Sequence, residues 1–160
     1  MKKEYINRIS IGLSAISQNE SVARSLVAVS VAPLDPTASE LADIRCAVSE
    51  AVTNAIVHGY KNGGGIYAGA AAPIVYISVT LYRESVVVEV KDKGIGIADI
   101  KKAREPLFTT DETGERSGMG FAVMEAFMDE VRVFSTPGKG TRVVLRKTLG
   151  GKEDGSALAE

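Results

Sequence analysis

The segment VSEAVTNAIVHGY, Val48 to Tyr60, determines how the rest of the sequence is interpreted. Together with the residues just before it, the segment places apolar side chains at the spacing i, i+3, i+4 and i+7, which predicts an amphipathic helix. The apolar stripe consists of Ile44, Ala47, Val48, Ala51, Val52, Ala55 and Ile56. Glu50 and Asn54 lie one turn apart at the margin of this stripe, so they are neighbours on one helix face. A solvated face would more often carry Lys, Gln and Arg, so the pattern indicates a carboxylate and an amide presented to a site.

Composition indicates one globular domain. The chain has 160 residues, of which 45% are hydrophobic and 24% charged, with a net charge of −1. We expect a single domain over residues 1–149 and a disordered tail over residues 150–160, GGKEDGSALAE, which has too few apolar residues to form packed structure. A balanced charge is not the electrostatic signature of a nucleic-acid-binding protein, so no direct nucleic acid partner is predicted.

Targeting and metal signals are absent from the sequence itself. The N-terminal MKKEYINRIS has no apolar signal-peptide core, and the most apolar stretch, IYAGAAAPIVYISV, is too short and too interrupted to span a bilayer. These features predict a cytoplasmic protein without a membrane partner. One cysteine and one histidine argue against a zinc site.

The order of predicted elements indicates the fold class. Helices are predicted early, for NESVARSLVAVSV with Asn19 or Ser17 as the cap, and for the long helix capped by Thr37 or Ser39. Strands are predicted first at YINRISIGL and then, later in the chain, at IVYISVTLYRE, SVVVEVKD, EVRVFST and RVVLRKTL, with a short helix at FAVMEAFM. This order predicts an α+β two-layer sandwich, a mostly antiparallel sheet covered on one face by helices.

The helix NESVARSLVAVSV carries two sets of apolar residues. Val22, Leu26 and Val29 are predicted to form its core stripe, with Arg24 pointing away from them. Val27 and Val31 are then predicted to lie near Arg24 on the outward side. They form either additional core or an apolar patch beside a cation that binds another protein.

Two glycine motifs indicate ligand binding. DKGIGI follows a strand, so Asp92 stands at a strand end, and Gly94 and Gly96 allow the backbone to approach a ligand closely. SGMGF precedes a helix, so Gly118 and Gly120 place free N–H groups at a helix N-terminus, where anions bind. Neither motif is a Walker loop or a dinucleotide fingerprint. The long segment between them is a surface loop or a lid.

The three motifs in this order resemble the nucleotide-binding boxes of the GHKL ATPase superfamily. They are Glu-x-x-x-Asn on a helix, Asp-x-Gly-x-Gly after a strand, and Gly-x-Gly before a helix, and they span roughly residues 44–141. Within that superfamily, SEAVTNAIVHGY, PLFTT and ERSGMGFAVMEAFMDEV are closest to the bacterial anti-sigma factor serine kinases of the sporulation sigma F system. The general-stress sigma B system uses similar kinases and stays an alternative.

The resemblance implies ATP and Mg²⁺ as cofactors and assigns the chemical roles. Glu50 corresponds to the general base and Asn54 to the metal ligand. Asp92 corresponds to the acid that accepts the adenine amine, and Thr141 to the hydroxyl that supports this contact through water. Further positions implied in nucleotide binding are Gly94 and Gly96 at the base and ribose, Gly118, Met119, Gly120 and Phe121 at the phosphates, and Arg116 at the γ-phosphate.

The resemblance also implies the partners. A kinase of this family holds a sigma factor inactive and phosphorylates a serine of an anti-anti-sigma factor, and it is a homodimer. Arg24 corresponds to the residue that contacts both partners in turn. One alternative is a sigma-binding module that uses nucleotide only as a switch, against which the presence of Glu50 argues. Another is the catalytic domain of a histidine kinase, against which the lack of a dimerisation segment with a phosphoacceptor histidine argues.

Overall fold

A five-stranded antiparallel sheet carries the helices on one face. The computed structural model describes residues 4–61, 73–106 and 119–150. In sheet order the strands are β1-β2-β3-β5-β4, and every pairing is antiparallel. The described elements are β1 (Asn7–Ser14), α1 (Asn19–Val31), a 3₁₀ turn (Ala32–Leu34), α2 (Ala38–Asn54), a π-helical turn (Ala55–Gly59), β2 (Ile74–Tyr82), β3 (Ser85–Lys91), α3 (Ile100–Ala103), α4 (Gly120–Phe127), β4 (Glu130–Thr136) and β5 (Gly140–Thr148). The predicted α+β class is confirmed.

The core lies between the inner face of the sheet and α2. Alternate residues of the strands point inward, and the register places Val79 opposite Val88 and Val88 opposite Leu145, all three fully buried. The apolar stripe predicted for α2 is buried along its whole length. Because α2 packs this stripe on the sheet, the orientation of Glu50 and Asn54 at the stripe margin is fixed by the core.

Both ends of α2 have a distinct local structure. Thr37 is the N-cap, and it forms a capping box in which its hydroxyl accepts from the Glu40 N–H while the Glu40 carboxylate accepts from the Thr37 N–H. At the other end the helix widens into the π-helical turn, which the Tyr60 N–H closes by donating to the Ala55 carbonyl at 3.0 Å. Such turns are frequent at functional sites because they redirect the residues that follow.

The predicted orientation of α1 is wrong. Val27 and Val31, expected on the outside, are fully buried, whereas Val29 of the expected core stripe is 74% exposed. The true core face consists of Ala23, Val27, Ser30 and Val31. Two of these residues are small, so a pattern that counts large apolar side chains selects the wrong face. The predicted cap is also wrong: the N-cap is Gln18, which makes no side-chain hydrogen bond.

Several predictions concern residues outside the described ranges. The tail beyond residue 150, the loop at residues 62–72 and residues 107–118 of the expected lid lie there, and so do Arg116 and Gly118. The described start of the expected lid contains the short helix α3, capped by the Asp99 side chain, which the sequence did not reveal. Within the described ranges, no helix is long and apolar enough to cross a membrane.

Candidate functional site

A cavity of about 760 Å³ opens between the helices and one end of the central strands. Its walls come from the start of α1, from α2 and the π-helical turn, from the ends of β3 and β5, from α3 and from the start of α4. The structure brings eight of the predicted site residues to this cavity: Glu50, Asn54, Asp92, Gly96, Met119, Gly120, Phe121 and Thr141. Residues from four distant parts of the sequence therefore line one site.

Glu50 and Asn54 share one wall of the cavity with the start of α4. A Cβ atom built on Gly120 would lie 3.1 Å from Glu50 Oε2, 3.2 Å from Asn54 Nδ2 and 3.3 Å from Asn54 Oδ1. The lack of a side chain at Gly120 therefore leaves both polar groups open to the cavity. The backbone N–H groups of the first turn of α4 have no partner within the helix, so they are available to an anion at the same place.

Asp92 also lines the cavity, directly after the end of β3, in an unusually buried position. Only 4% of its surface is exposed, and its Oδ1 accepts hydrogen bonds from the N–H groups of Gly94 at 2.8 Å and Thr141 at 3.3 Å. Burial raises the pKa of the carboxyl group, and these backbone hydrogen bonds oppose part of that rise. A buried carboxylate at a cavity wall is suited to accept a hydrogen bond from a ligand amine.

Close packing allows only glycine at position 94. Gly94 is not among the residues that line the cavity. A Cβ atom on Gly94 would lie 1.9 Å from the carbonyl oxygen of Gly59, which accepts from the Ile95 N–H at 3.0 Å. A Cβ atom on Gly59 would in turn lie 2.9 Å from the Asp92 carboxyl carbon. The π-helical turn and the segment after β3 therefore touch backbone to backbone. This contact holds Asp92 against the end of the long helix.

Gly96 follows in a left-handed conformation, with φ of +73°. A Cβ atom there would lie 2.3 Å from the carbonyl oxygen of Thr136 on β4. The neighbouring Ser135 hydroxyl accepts from the Ile97 N–H at 2.7 Å and lies 2.8 Å from the Thr141 hydroxyl. Ser135 thus fixes both the loop after β3 and Thr141. Nothing in the sequence indicates this role, because it depends on the pairing of β4 with β5.

Four further ionisable residues line the cavity without having been predicted: Glu20 from α1, His58 from the π-helical turn, Asp99 at the N-cap of α3 and Lys102 from α3. Among the described lining residues, four are carboxylates, namely Glu20, Glu50, Asp92 and Asp99. A polyphosphate would therefore meet a wall with more negative than positive side chains. Binding there requires added positive charge, which a metal ion can supply.

The donor chemistry of the site fits Mg²⁺ held largely by a ligand's phosphates. The Asn54 side chain offers an amide oxygen, a donor type that this hard cation accepts. Across the described ranges, no group of three or more His, Cys, Asp or Glu side chains could form a metal cage of its own. Mg²⁺ is commonly bound by one or two protein groups together with substrate phosphates, so the two observations agree.

Arg24, the predicted partner-binding residue, lies outside the cavity lining on α1. Its Nε is 3.2 Å from Oε1 of Glu20, and its side chain is 38% exposed. The expected apolar neighbours Val27 and Val31 are in the core, so they cannot form a patch beside it. Half-exposed and exposed apolar residues of α1 lie instead on another side of the helix, at Val22, Leu26 and Val29.

Comparison with known proteins agrees with the fold. The model of the histidine kinase-like ATPase domain matches residues 14–147. The structure of the RsbU and RsbW domains of Rv1364c from Mycobacterium tuberculosis superposes with a TM-score of 0.60 over 89% of this chain and 32% of that chain, at 23% identity, which shows the fold alone. The fold and the site therefore define a domain of the histidine kinase-like ATPase class, and this class binds ATP.

More similar relatives narrow the assignment. The anti-sigma F factor of Geobacillus sp. (strain WCH70) is 55% identical over 143 residues, covering 89% of this chain and 93% of its own length. That of Thermoanaerobacter sp. (strain X514) is 51% identical over 147 residues, covering 92% and 97%. The chain belongs to the anti-sigma F factor family. The resemblance noted in the sequence is thereby confirmed.

Proposed function

We propose that this protein is an ATP-dependent serine kinase that also holds a sigma factor of the sigma F type inactive. Its kinase substrate is a serine of the corresponding anti-anti-sigma factor. The observation that carries this proposal is the shared wall of Glu50 and Asn54, two side chains one helical turn apart that both face the cavity past Gly120. Family membership supports the anti-sigma role.

Glu50 and Asn54 have different roles in the proposed phosphoryl transfer. Bound Mg-ATP supplies the phosphoryl group. The Glu50 carboxylate would accept the proton of the acceptor serine hydroxyl as the serine oxygen bonds to the γ-phosphorus and the bond to the departing ADP breaks, and the Asn54 amide oxygen would hold the metal. Because phosphoryl transfer requires mainly positioning and charge neutralisation, a base and a metal ligand on one rigid helix suit this reaction.

The remaining lining residues hold the nucleotide. The Asp92 carboxylate accepts a hydrogen bond from the adenine amine, with Thr141 beside it, and Gly96 leaves room for the base and ribose. The N–H groups of Met119, Gly120 and Phe121 face the phosphates. Arg116 and Gly118 are proposed for the same end of the nucleotide, although they lie outside the described ranges.

The sigma factor and the anti-anti-sigma factor are proposed to bind at α1, with Arg24 as the shared anchor, in a homodimer of this chain. A sigma-binding module without kinase activity is the competing function. Glu50 distinguishes the two, because a switch needs a nucleotide site but no base positioned beside the metal ligand.

Two substitutions test the kinase assignment. Glu50→Gln keeps the size of the side chain and removes the base, so we expect Mg-ATP binding to persist and the rate of serine phosphorylation to fall about 10²–10⁴-fold. Asn54→Ala removes the metal ligand, so we expect weaker binding of ATP in Mg²⁺ but little change in EDTA. Labelled ATP, a sigma F-type anti-anti-sigma factor and calorimetry give both readouts.

The wild-type protein decides between the two functions. If it transfers no label to the anti-anti-sigma factor yet still binds the sigma factor in a nucleotide-dependent way, the protein is a switch. Undiminished phosphorylation by Glu50→Gln would remove that residue as the base.

A further inference from the structure

Glu20 connects the proposed partner residue to the nucleotide cavity. Its Oε1 accepts a hydrogen bond from the Ser49 hydroxyl and is also the atom that lies 3.2 Å from Arg24 Nε. Glu20 and Ser49 both line the cavity, and Ser49 directly precedes the proposed base Glu50. One carboxylate oxygen is therefore shared between the helix of the site and the arginine on the surface.

The two sides of Arg24 face different surroundings. Its Nε is shielded from solvent and makes no hydrogen bond within the described residues, so Glu20 holds it by charge alone, whereas the side chain as a whole keeps 38% of its accessible surface. The exposed part therefore belongs to atoms other than Nε. The inner edge of the guanidinium is held toward Glu20, and an outer portion stays available to an acidic group of a partner.

Because Glu20 is charged, its ion pair with Arg24 responds to any charge that a ligand brings into the cavity. A carboxylate at the wall interacts with any charge that a nucleotide and its metal bring, and such interactions are strong near a partly shielded site. The same carboxylate oxygen sets the electrostatic environment of Arg24. A change of charge in the cavity therefore changes how firmly Arg24 is held, without movement of any helix.

We propose that Glu20 is a positioning residue that holds Arg24. The strength of this hold depends on the nucleotide in the cavity, and so does the affinity of Arg24 for an acidic group of a partner. This inference rests on the proposed function, since it takes Arg24 as the partner anchor. By linkage, a partner that draws Arg24 away from Glu20 alters nucleotide affinity by the same factor as nucleotide alters partner affinity.

The first test needs no partner. Glu20→Gln keeps an oxygen that accepts from Ser49 but removes the charge that pairs with Arg24. The Nε–Hε resonance of Arg24 is followed by NMR, assigned through Arg24→Lys, while ADP or a non-hydrolysable ATP analogue is added with Mg²⁺. We expect the resonance to shift in the wild type and not in Glu20→Gln. An equal shift in both proteins would overturn the proposal.

The second test measures the coupling itself. The affinity for the sigma factor is measured with the ATP analogue and with ADP, and the ratio of the two affinities is the coupling factor. We expect the coupling factor of Glu20→Gln to be smaller than that of the wild type by at least about fivefold. Ser49→Ala keeps the charge of Glu20 and removes only the hydrogen bond from the Ser49 hydroxyl to Glu20. It should therefore reduce this ratio less than Glu20→Gln does. The matched control is Glu130→Gln, which removes the partner of Arg132 in an ion pair on β4, outside the cavity lining, and should leave the ratio unchanged.

The outcomes separate the two proposals. A wild type that binds no sigma factor contradicts the proposed function, whereas one that binds it equally with either nucleotide overturns the coupling proposed here and leaves the proposed function standing. A coupled wild type with an equally coupled Glu20→Gln overturns only the role of Glu20. Loss of nucleotide binding in a folded Glu20→Gln would make this residue part of the nucleotide site proper and would also overturn its assignment as a positioning residue.

Discussion

The buried position of Asp92 favours a hydrogen bond with a ligand but lowers the stability of the ligand-free protein. Burial raises the pKa of its carboxyl group, so the folded chain holds the proton more firmly than the unfolded chain does. The ionised group therefore lowers the free energy of unfolding at neutral pH. This penalty disappears as the pH falls through the pKa of the folded state.

Asp92→Asn separates these two effects. Without nucleotide, we expect an unfolding free energy at pH 7 equal to or above that of the wild type, with the difference shrinking toward acidic pH. ATP affinity should fall roughly 10- to 100-fold, the range for loss of a hydrogen bond to a charged group. Urea titrations at two pH values and calorimetry give both quantities. A variant that is less stable at pH 7 would contradict this account of the carboxylate.

Gly120 is a position where one methyl group should disturb chemistry more than folding. The added Cβ would press on Glu50 and Asn54 at 3.1–3.3 Å, which side chains can relieve by shifting. A misplacement of about 1 Å can cost about 10²-fold in rate, and the smaller shift expected here should cost less, so we expect Gly120→Ala to phosphorylate more slowly by less than about 10²-fold while it unfolds like the wild type.

The control for Gly120→Ala is Gly138→Ala, where a Cβ would meet open space at a φ of +75°. That change should cost about 1–2 kcal/mol of stability and leave the rate unchanged. The reverse pattern in the two variants would contradict the proposed geometry.

Sequence reasoning predicted several of the polar residues that line the cavity, but it did not predict the packing contact of Gly94. Glu50, Asn54 and Asp92 were predictable because each stands at a fixed place on a helix or at a strand end. Gly94 was predicted for ligand contact, but its nearest constraint is the carbonyl oxygen of Gly59. Such a contact joins segments far apart in sequence, so periodicity cannot reveal it.

At the scale of elements, α1 shows where an amphipathic pattern is ambiguous. Val22, Leu26 and Val29 have helical spacing, and so do Ala23, Val27 and Ser30 with Val31. The larger side chains predicted the wrong face, because the space against α2 and the sheet accommodates small residues. Strands posed no such difficulty, since alternation within β2 and β3 left one consistent inner face.

Two matched substitutions test the orientation of α1. Val27→Ala removes buried methyl groups, and we expect it to lower the free energy of unfolding by about 2 kcal/mol. Val29→Ala changes a side chain that is mostly in solvent, so its effect should stay within about 0.5 kcal/mol. Chemical denaturation of both variants measures this difference. A larger loss for Val29→Ala would restore the orientation predicted from the sequence.

For the whole molecule, the proposed function requires two partners to use one surface. Arg24→Ala should weaken the affinities for the sigma factor and for the anti-anti-sigma factor by roughly thirtyfold each, corresponding to about 2 kcal/mol for an interface anchor. ATP affinity should change far less, because Arg24 does not line the cavity. Surface plasmon resonance with each partner, alone and in competition, checks this expectation. Simultaneous binding of both partners to one protomer would exclude a shared anchor.

The order of the strands has a consequence for synthesis of the chain on the ribosome. Ser14 at the end of β1 pairs with Ile74 of β2, 60 residues later, whereas β2–β3 and β4–β5 are joined by short turns. At a synthesis rate of roughly 5–20 residues per second, β1 is made several seconds before the strand β2 with which it pairs. Through that interval α1 and α2 have no sheet to cover their apolar faces. The surface proposed for partners therefore depends on the second half of the chain, and a nascent chain released early would expose apolar surface to aggregation.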